Sequence, residues 1–443
     1  MKRNRVLKGL ALVAATSLLG GLAACSSSSG GDEGTAENPV TITFWDNNGG
    51  PDRTPLYQDI ISKFEAQNPA IKVDYVGIPA SDAATKYQTA VAGGSTPDVG
   101  IVVGWMASSL AAQSALTPLD DMLSSSDLNG HIAEDALTAA HGSSFDHKLY
   151  ILPMTATPDT IWYRQDQFKA AGVSPPDTWA DFYTAAKTLT NSGAGQYGFA
   201  MRGGAGSVNQ LVPVAYSCSA ISSFFDADDK TTLSDPKVAS CLQQFADIYN
   251  VDTSQADVSY AYQDMITAFD SGKAAMVQHN LGSAANHVKA FGEGVAVAAP
   301  MPAATSSGAR TLVAPTPEGP AVFSGSKHPD PAWKFTQFLL SHDINSQWNQ
   351  TTNQIPGNSD SRADAWVAGN QPISVSIDAL GDKANTIVTS PLYLPDWNSI
   401  LTDMAQEWQA VLLKQTTAQQ FASDWADKVN TAEAEYQTQF GGK

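Results

Sequence analysis

Residues 40–103 switch repeatedly between two periodicities, and that switching limits the folds open to the chain. Val40–Trp45 alternates apolar and polar residues as a strand does, Leu56, Tyr57, Ile60, Ile61 and Phe64 recur at helical spacing until Asn68-Pro69, and Ile71–Val76 alternates again. A second helical stretch, Ala83–Gly93, leads through Thr96-Pro97-Asp98 into the apolar run Val99–Val103. Strand, helix, strand, helix, strand predicts an α/β fold with a buried, mainly parallel sheet covered by helices.

The pattern restarts further on. Thr160–Tyr163 reads as a strand after the connecting segment Thr155–Pro158, and "PPDTWADFYTAAKTLT" opens a helix whose Thr178 and Asp181 have capping-box spacing. Asp235-Pro236 starts another helix, Phe269-Asp270-Ser271-Gly272 ends one, and Ala274–Gln278 resumes as strand. Ala303–Arg310 reads as a second connection. Late helices are expected at 331–341, 399–413 and 417–436, the last two packed on the outside of a lobe. With about 405 residues beyond Asn38, the chain is too long for one compact core, so two α/β units are expected.

Lys2, Arg3, Arg5 and Lys8 precede the uncharged stretch Gly9–Ala24, which is shorter than the roughly 20 residues that cross a bilayer. Residues 1–25 therefore read as a secretory signal rather than a membrane helix. Leu22-Ala23-Ala24-Cys25 resembles a lipobox, making Cys25 the expected lipid-bearing residue, and residues 26–38 have the composition of a flexible tether. Removing residues 1–25 takes away four of 25 basic residues and none of the 44 acids, which leaves a net charge of −23. Such a surface repels phosphate backbones and argues against nucleic acid as a partner. Export to an oxidising compartment favours a bridge between Cys218 and Cys241 over two free thiols.

The ordered landmarks Trp45-Asp46-Asn47, "STPDVGIVVGW" (95–105), "AAQSALTPLDD" (111–121), "HKLYILPMTATPDTIWYRQDQF" (147–168), "PPDTWADF" (175–182), "AFDSGKAAMVQHNLG" (268–282) and "HPDPAWKFTQFLLS" (328–341) resemble the sugar-binding family of ABC-importer solute-binding proteins that includes maltose-binding protein. The resemblance covers residues 39–440. It implies a periplasmic-binding-protein-like fold, α/β, in which two lobes surround a hinged ligand cleft: residues 39–156 plus 311–342 in the first lobe, 157–310 plus 343–443 in the second. It also implies a monomeric receptor, lipid-anchored on the outer face of the cytoplasmic membrane, that binds a sugar or oligosaccharide, delivers it to membrane permease subunits and needs no cofactor.

Ligands in open α/β sheets lie beyond the carboxyl ends of strands, and a sugar needs amides and carboxylates for its hydroxyls and flat rings for its C–H faces. Trp45, Asp46 and Asn47 at the end of the first strand fit that need, the plainer alternative being a turn or helix cap. Trp105 holds the matching place after Val99–Val103, whereas Asp98, at the start of that strand, reads as structural. On the second lobe the candidates are Asn280 and, less so, His279; Arg202 in "MRGGAG"; Tyr216; and Asp396 with Trp397 in "LYLPDWNSI", where relatives deliver an aromatic to the cleft. Arg202 in a salt bridge and the aromatics in core packing are the competing assignments. Relatives often carry an acid after the "LP" strand; here Thr157 and then Asp159 stand there, which leaves that acid's role open.

An enzyme is the first rival function, yet Asp120-Asp121 and Asp228-Asp229 sit in expected turns and no GxSxG, HExxH or CxxC is present. The segment Asp226–Thr231 has Lys230 and Thr231 where a calcium loop needs a ligand and a glycine, so it reads as a hairpin turn and no metal is expected. Receptors for a polyamine, a peptide or an iron chelate remain alternatives, and the lack of internal repeats counts against a structural or adhesive role.

Overall fold

The computed structural model describes residues 34–51, 53–306 and 308–441. The signal segment, Cys25 and the start of the tether lie outside the described residues. Twelve strands are described in chain order: β1 (Val40–Asp46), β2 (Ile71–Gly77), β3 (Val99–Val103), β4 (Thr155–Thr157), β5 (Asp159–Arg164), β6 (Tyr197–Ala200), β7 (Ala274–Asn280), β8 (Ala296–Pro300), β9 (Thr311–Val313), β10 (Thr316–Val322), β11 (Ile355–Pro356) and β12 (Thr386–Val388). They build two lobes. The first sheet has the order β11-β4-β10-β3-β1-β2, the second β6-β7-β5-β8, and β9 pairs with β12 in a small separate ribbon.

Neither main sheet is mainly parallel, contrary to expectation. β1 runs parallel to β2 and β3, but β10 is antiparallel to β3 and β4, and β5 is antiparallel to β7 and β8. The cause is the crossing between lobes: β10 re-enters the first sheet from the second lobe, so no helix crossover dictates its direction. Thr155–Thr157, expected as a connection, is a strand of the first sheet because the chain leaves that lobe only at Pro158.

Strand alternation places a core on each face of each sheet. Ile42 and Phe44 face Tyr57, Phe64, Phe335 and Trp348, while Val102 faces Tyr87, Met106 and Phe323 on the opposite side. In the second lobe Ile161 and Tyr163 face the helical core and Trp162 the other layer. The expected caps are in place. Thr178 Oγ1 accepts from the Asp181 amide at 3.1 Å and Asp181 Oδ2 from the Thr178 amide at 3.0 Å, and Asp235 accepts from the Lys237 amide at 2.7 Å. Asp226 Oδ1 accepts from the amides of Asp228 and Lys230, both at 2.9 Å, closing the turn that the sequence suggested. Among the described residues no helix is long and apolar enough to cross a membrane.

The lobe boundaries differ from the expected partition in two places. β9, expected in the first lobe, pairs with β12, and Leu312 and Val388 join the core of the second lobe. Helix His342–Thr352 and β11, expected in the second, stay with the first: the Trp348 ring lies 4.3 Å from that of Tyr57. An amphipathic helix carries a buried stripe but no statement of which lobe buries it. The three crossings therefore run through Pro158, through Ala314-Pro315, and between Arg362 and Val367.

Two features fix the lobes internally. The carboxylate of Asp46, wholly buried, accepts from the Tyr75 hydroxyl at 2.9 Å and sits 3.4 Å from Arg53 Nη2. The same Nη2 reaches Glu318 Oε1 on β10 at 3.1 Å, and the guanidinium lies 4.9 Å above the Trp348 ring. Burial works against the charge of Arg53, and the carboxylates of Asp46 and Glu318 outweigh it, so its pKa is held above the ordinary value. In the second lobe Cys218, in the last turn of helix Ser207–Ser219, is bonded to Cys241 of helix Pro236–Asp247, with Cα atoms 5.9 Å apart.

Two stability predictions follow from these ties. Asp46→Ala leaves a buried guanidinium with one carboxylate fewer and should cost about 3 kcal/mol in denaturant unfolding of the ligand-free protein; an unchanged midpoint would remove the structural role. Cys218→Ser with Cys241→Ser opens a loop of 23 residues and should cost about 3 kcal/mol by the chain-entropy relation, read as an earlier unfolding of the second lobe.

Candidate functional site

A cavity of about 220 Å³ lies between the lobes, where the chain crosses from one to the other. Thr157, Pro158 and Asp159 of the first crossing and Ala314, Pro315 and Thr316 of the second line it. Trp105 and Glu318 project from the first lobe, and Asn209, Asn280, Ser376 and Ser390 from the second. Trp105 reaches the cavity because helix Gly104–Ala112 starts directly at the end of β3. Gly104 permits this: a Cβ there would come within 2.9 Å of the Pro317 ring.

Asp159 is the first residue of β5, half-buried, with Gln278 Nε2 donating to its Oδ2 at 3.4 Å. Burial pushes its carboxyl up to about 6, against the opposing pull of Gln278 and the nearby Arg202. Arg202 stands behind it, its Nε donating to the Ala205 carbonyl at 2.6 Å. Burial lowers the Arg202 pKa to about 10 while Asp159 resists, so the guanidinium stays charged at neutral pH. His279 stacks on Tyr262 at 4.7 Å, and burial, then Arg202 and His287, drive its pKa down to about 3. It is a neutral ring at physiological pH. Asn280 Oδ1 accepts from the Gly282 amide at 3.0 Å, which holds the side chain at the strand end where it lines the cavity. The wall thus combines an indole, amides, hydroxyls and two carboxylates drawn from both lobes.

Of the residues that the sequence singled out, the structure brings Trp105 and Asn280 into this cavity, with Arg202 beside Asp159. Asp396 is exposed and lines a neighbouring cavity of about 250 Å³ that also has Trp105 in its wall. The others lie elsewhere. Asp46 is committed to Arg53 and Tyr75, and Asn47 beside it is buried with an unpartnered Oδ1. Trp45 is half-buried against Tyr87 at 5.6 Å, with Lys86 Nζ 4.7 Å over its ring. Tyr216 is a core residue whose hydroxyl meets Thr232 Oγ1 at 3.0 Å. Trp397 is also core, edge-on to Phe224 at 5.6 Å, because the first turn of helix Trp397–Asp403 turns that ring inward and leaves the preceding Asp396 facing out. Asp98 is structural as expected, accepting from the Thr43 amide at 2.7 Å and from Ser326 Oγ at 2.5 Å.

Sequence reasoning left Thr157 and Asp159 open and missed Glu318, Asn209, Ser376 and Ser390. Glu318 carried a usable signal, since it is an acid inside the otherwise apolar strand Thr316–Val322. Asn209 and the two serines are polar residues on helices or loops, and their place in the wall depends on how the lobes dock.

The chain matches the family described as bacterial extracellular solute-binding protein over residues 50–345. A binding protein of Brucella abortus is 24% identical over 402 residues, covering 89% of this chain and 92% of that one. The multiple sugar-binding protein of Streptococcus mutans is 31% identical over 182 residues, 41% of this chain and 40% of that protein. Among solved structures, the GacH receptor of Streptomyces glaucescens, determined unliganded and with acarbose, superposes with a TM-score of 0.78 at 23% identity, covering 90% of this chain and 99% of that one. Maltose-bound MalE3 of T. maritima gives 0.76 at 20% identity, covering 88% and 99%. With the family match spanning well over half of the sequence and the two-lobed fold shared with these receptors, the chain belongs to the bacterial extracellular solute-binding proteins.

Proposed function

We propose that this protein is the receptor of an ABC importer, binding a sugar in the cavity between its lobes and presenting it to the permease from a lipid anchor at Cys25, as a monomer and without chemical turnover. The observation that carries the reading is the make-up of the interlobe cavity. The Trp105 indole offers a face for C–H groups, and Asp159, Glu318, Asn209 and Asn280 offer hydrogen bonds, the lining coming from both lobes at their crossings. A ligand held by both walls favours the closed arrangement by its extra contacts, which is how binding becomes a signal for a permease. The sugar ligands of the related receptors, acarbose and maltose among them, support the same class.

Thermal-shift measurements of the purified protein against mono- and oligosaccharides, polyamines and peptides test the reading. A sugar at 100 times its Kd should stabilise the protein by about 2.7 kcal/mol. Trp105→Ala and Asn280→Ala should each cut the affinity by about tenfold, or 1.4 kcal/mol, measured by titration on protein that is still folded, since Trp105 also packs against two cores and Asn280 Oδ1 holds the Gly282 amide, so that both lower the ligand-free melt as well. A response to polyamines or peptides alone would overturn it.

Asp159 gives the reading a pH signature. Its folded pKa lies above the unfolded value, so the native state holds a proton more tightly, and this group's contribution to stability is present below about pH 4 and lost as pH rises through about 6. Sugar hydroxyls donating to the ionised carboxylate would lower that pKa again. Binding should therefore release protons between about pH 4 and 6 and strengthen as pH rises across that window. Calorimetry in buffers of different ionisation enthalpy should show the release in the native protein and its loss in Asp159→Asn.

A further inference from the structure

The third crossing is tied to the first lobe in a way that the other two are not. The segment that leads into it, 358–364, sends three side chains to first-lobe partners. Asp360 Oδ2 meets His131 Nδ1 at 2.7 Å, Arg362 Nη1 meets Asp135 Oδ1 at 2.8 Å, and Asp364 Oδ1 meets Nε2 of His342, the first residue of helix His342–Thr352, at 3.0 Å. Two of the three ties therefore depend on a histidine. Among the described residues, no histidine–carboxylate pair ties the crossings through Pro158 and Ala314-Pro315.

Asp364 is where the two lobes meet in this network. Its Oδ2 accepts from Ser346 Oγ, on the same first-lobe helix as His342, and from Trp366 Nε1 at 3.3 Å, and that indole nitrogen also lies 2.8 Å from Ser346 Oγ. Trp366 packs on the second-lobe layer that holds Phe269 and Ile373. One carboxylate thus joins a first-lobe helix to an aromatic of the second lobe, and His342 is its only cationic partner among the described residues. The charged groups that face His342 are all acids: Asp364, Asp360, and Asp343 beside it at 3.5 Å. The hydrogen bond to Asp364, then the charges of these acids, hold its pKa above the ordinary histidine value against desolvation. The tie is therefore complete below about pH 6.5, the unfolded value, and is lost as pH rises through the folded one. We propose that the third crossing is a proton-sensitive hinge, held to the first lobe while His131 and His342 are charged and released as they lose their protons, so that the freedom of one lobe to turn against the other follows the pH of the surrounding medium. Exposed ion pairs are individually weak, which suits a hinge, since they change local opening without threatening the fold.

Hydrogen exchange of the purified, ligand-free protein tests this at about pH 5.5 and about 8.5, either side of the histidine range, with rates corrected for the intrinsic dependence of exchange on pH. Protection of the amides in 358–370 should fall about threefold at the higher pH, the scale set by exposed ion pairs, while helix Ser207–Ser219 of the second lobe should change less. The double variant His131→Gln with His342→Gln keeps a neutral donor at both places and should show the lower protection at both pH values. It also keeps Asp159, so the titration of that carboxyl is common to both proteins. Equal protection at the two pH values in the native protein, or the same fall in the double variant, would overturn the proposal. No sugar enters the experiment, so its outcome and that of the ligand screen are separate.

Discussion

A guanidinium buried between two carboxylates sets the shape of the first lobe. Arg53 joins the end of β1, through Asp46, to the crossing strand β10, through Glu318, and covers Trp348 of a helix that arrives late in the chain. An isolated buried charge costs several kcal/mol, so none of the three groups is stable in its position without the others. Glu318 is also part of the cavity wall. The pairing thus fixes one cavity-lining carboxylate by reference to the interior of the lobe. Asp46 serves the site at one remove, by positioning the cation that positions the wall.

On the opposite wall the electrostatics are looser. Asp159 has a weak hydrogen bond from Gln278 and a guanidinium nearby, and burial still dominates its titration. A carboxylate left short of donors is ready to accept them from a ligand, and a sugar is a dense array of hydroxyl donors. The asymmetry suits a receptor. On one wall Glu318 is satisfied from within its lobe, and on the other Asp159 keeps acceptor capacity that the proposed sugar would fill.

The sequence was informative wherever a local rule decides the outcome. Strand alternation, helix caps, the Asp226 turn and the role of Asp98 depend on neighbours a few residues away or on the end of one strand, and the structure has them as expected. The strand-end rule pointed to Trp105 and the family resemblance to Asn280, and both line the interlobe cavity. Trp397, at a helix start, and Tyr216, near a helix end, went astray because an indole or phenol on a helix looks the same in sequence whether it faces a cleft or a core, and only the orientation of the element decides. The helix His342–Thr352 went astray for a related reason, since an apolar stripe does not name its partner. Glu318, Asn209 and Ser390 come together through docking of distant segments, which no local pattern encodes.

The two crossings that floor the cavity each contain a proline outside any strand, Pro158 and Pro315. Proline has no amide hydrogen to contribute to a ladder and its φ is already fixed. Rotation of one half of the molecule against the other at these points therefore severs no sheet hydrogen bond there and is confined to the few remaining torsions on either side. In the closure proposed above, these joints would bend along few directions at little enthalpic cost, so that the work of binding would go into shutting the gap rather than into unzipping the backbone.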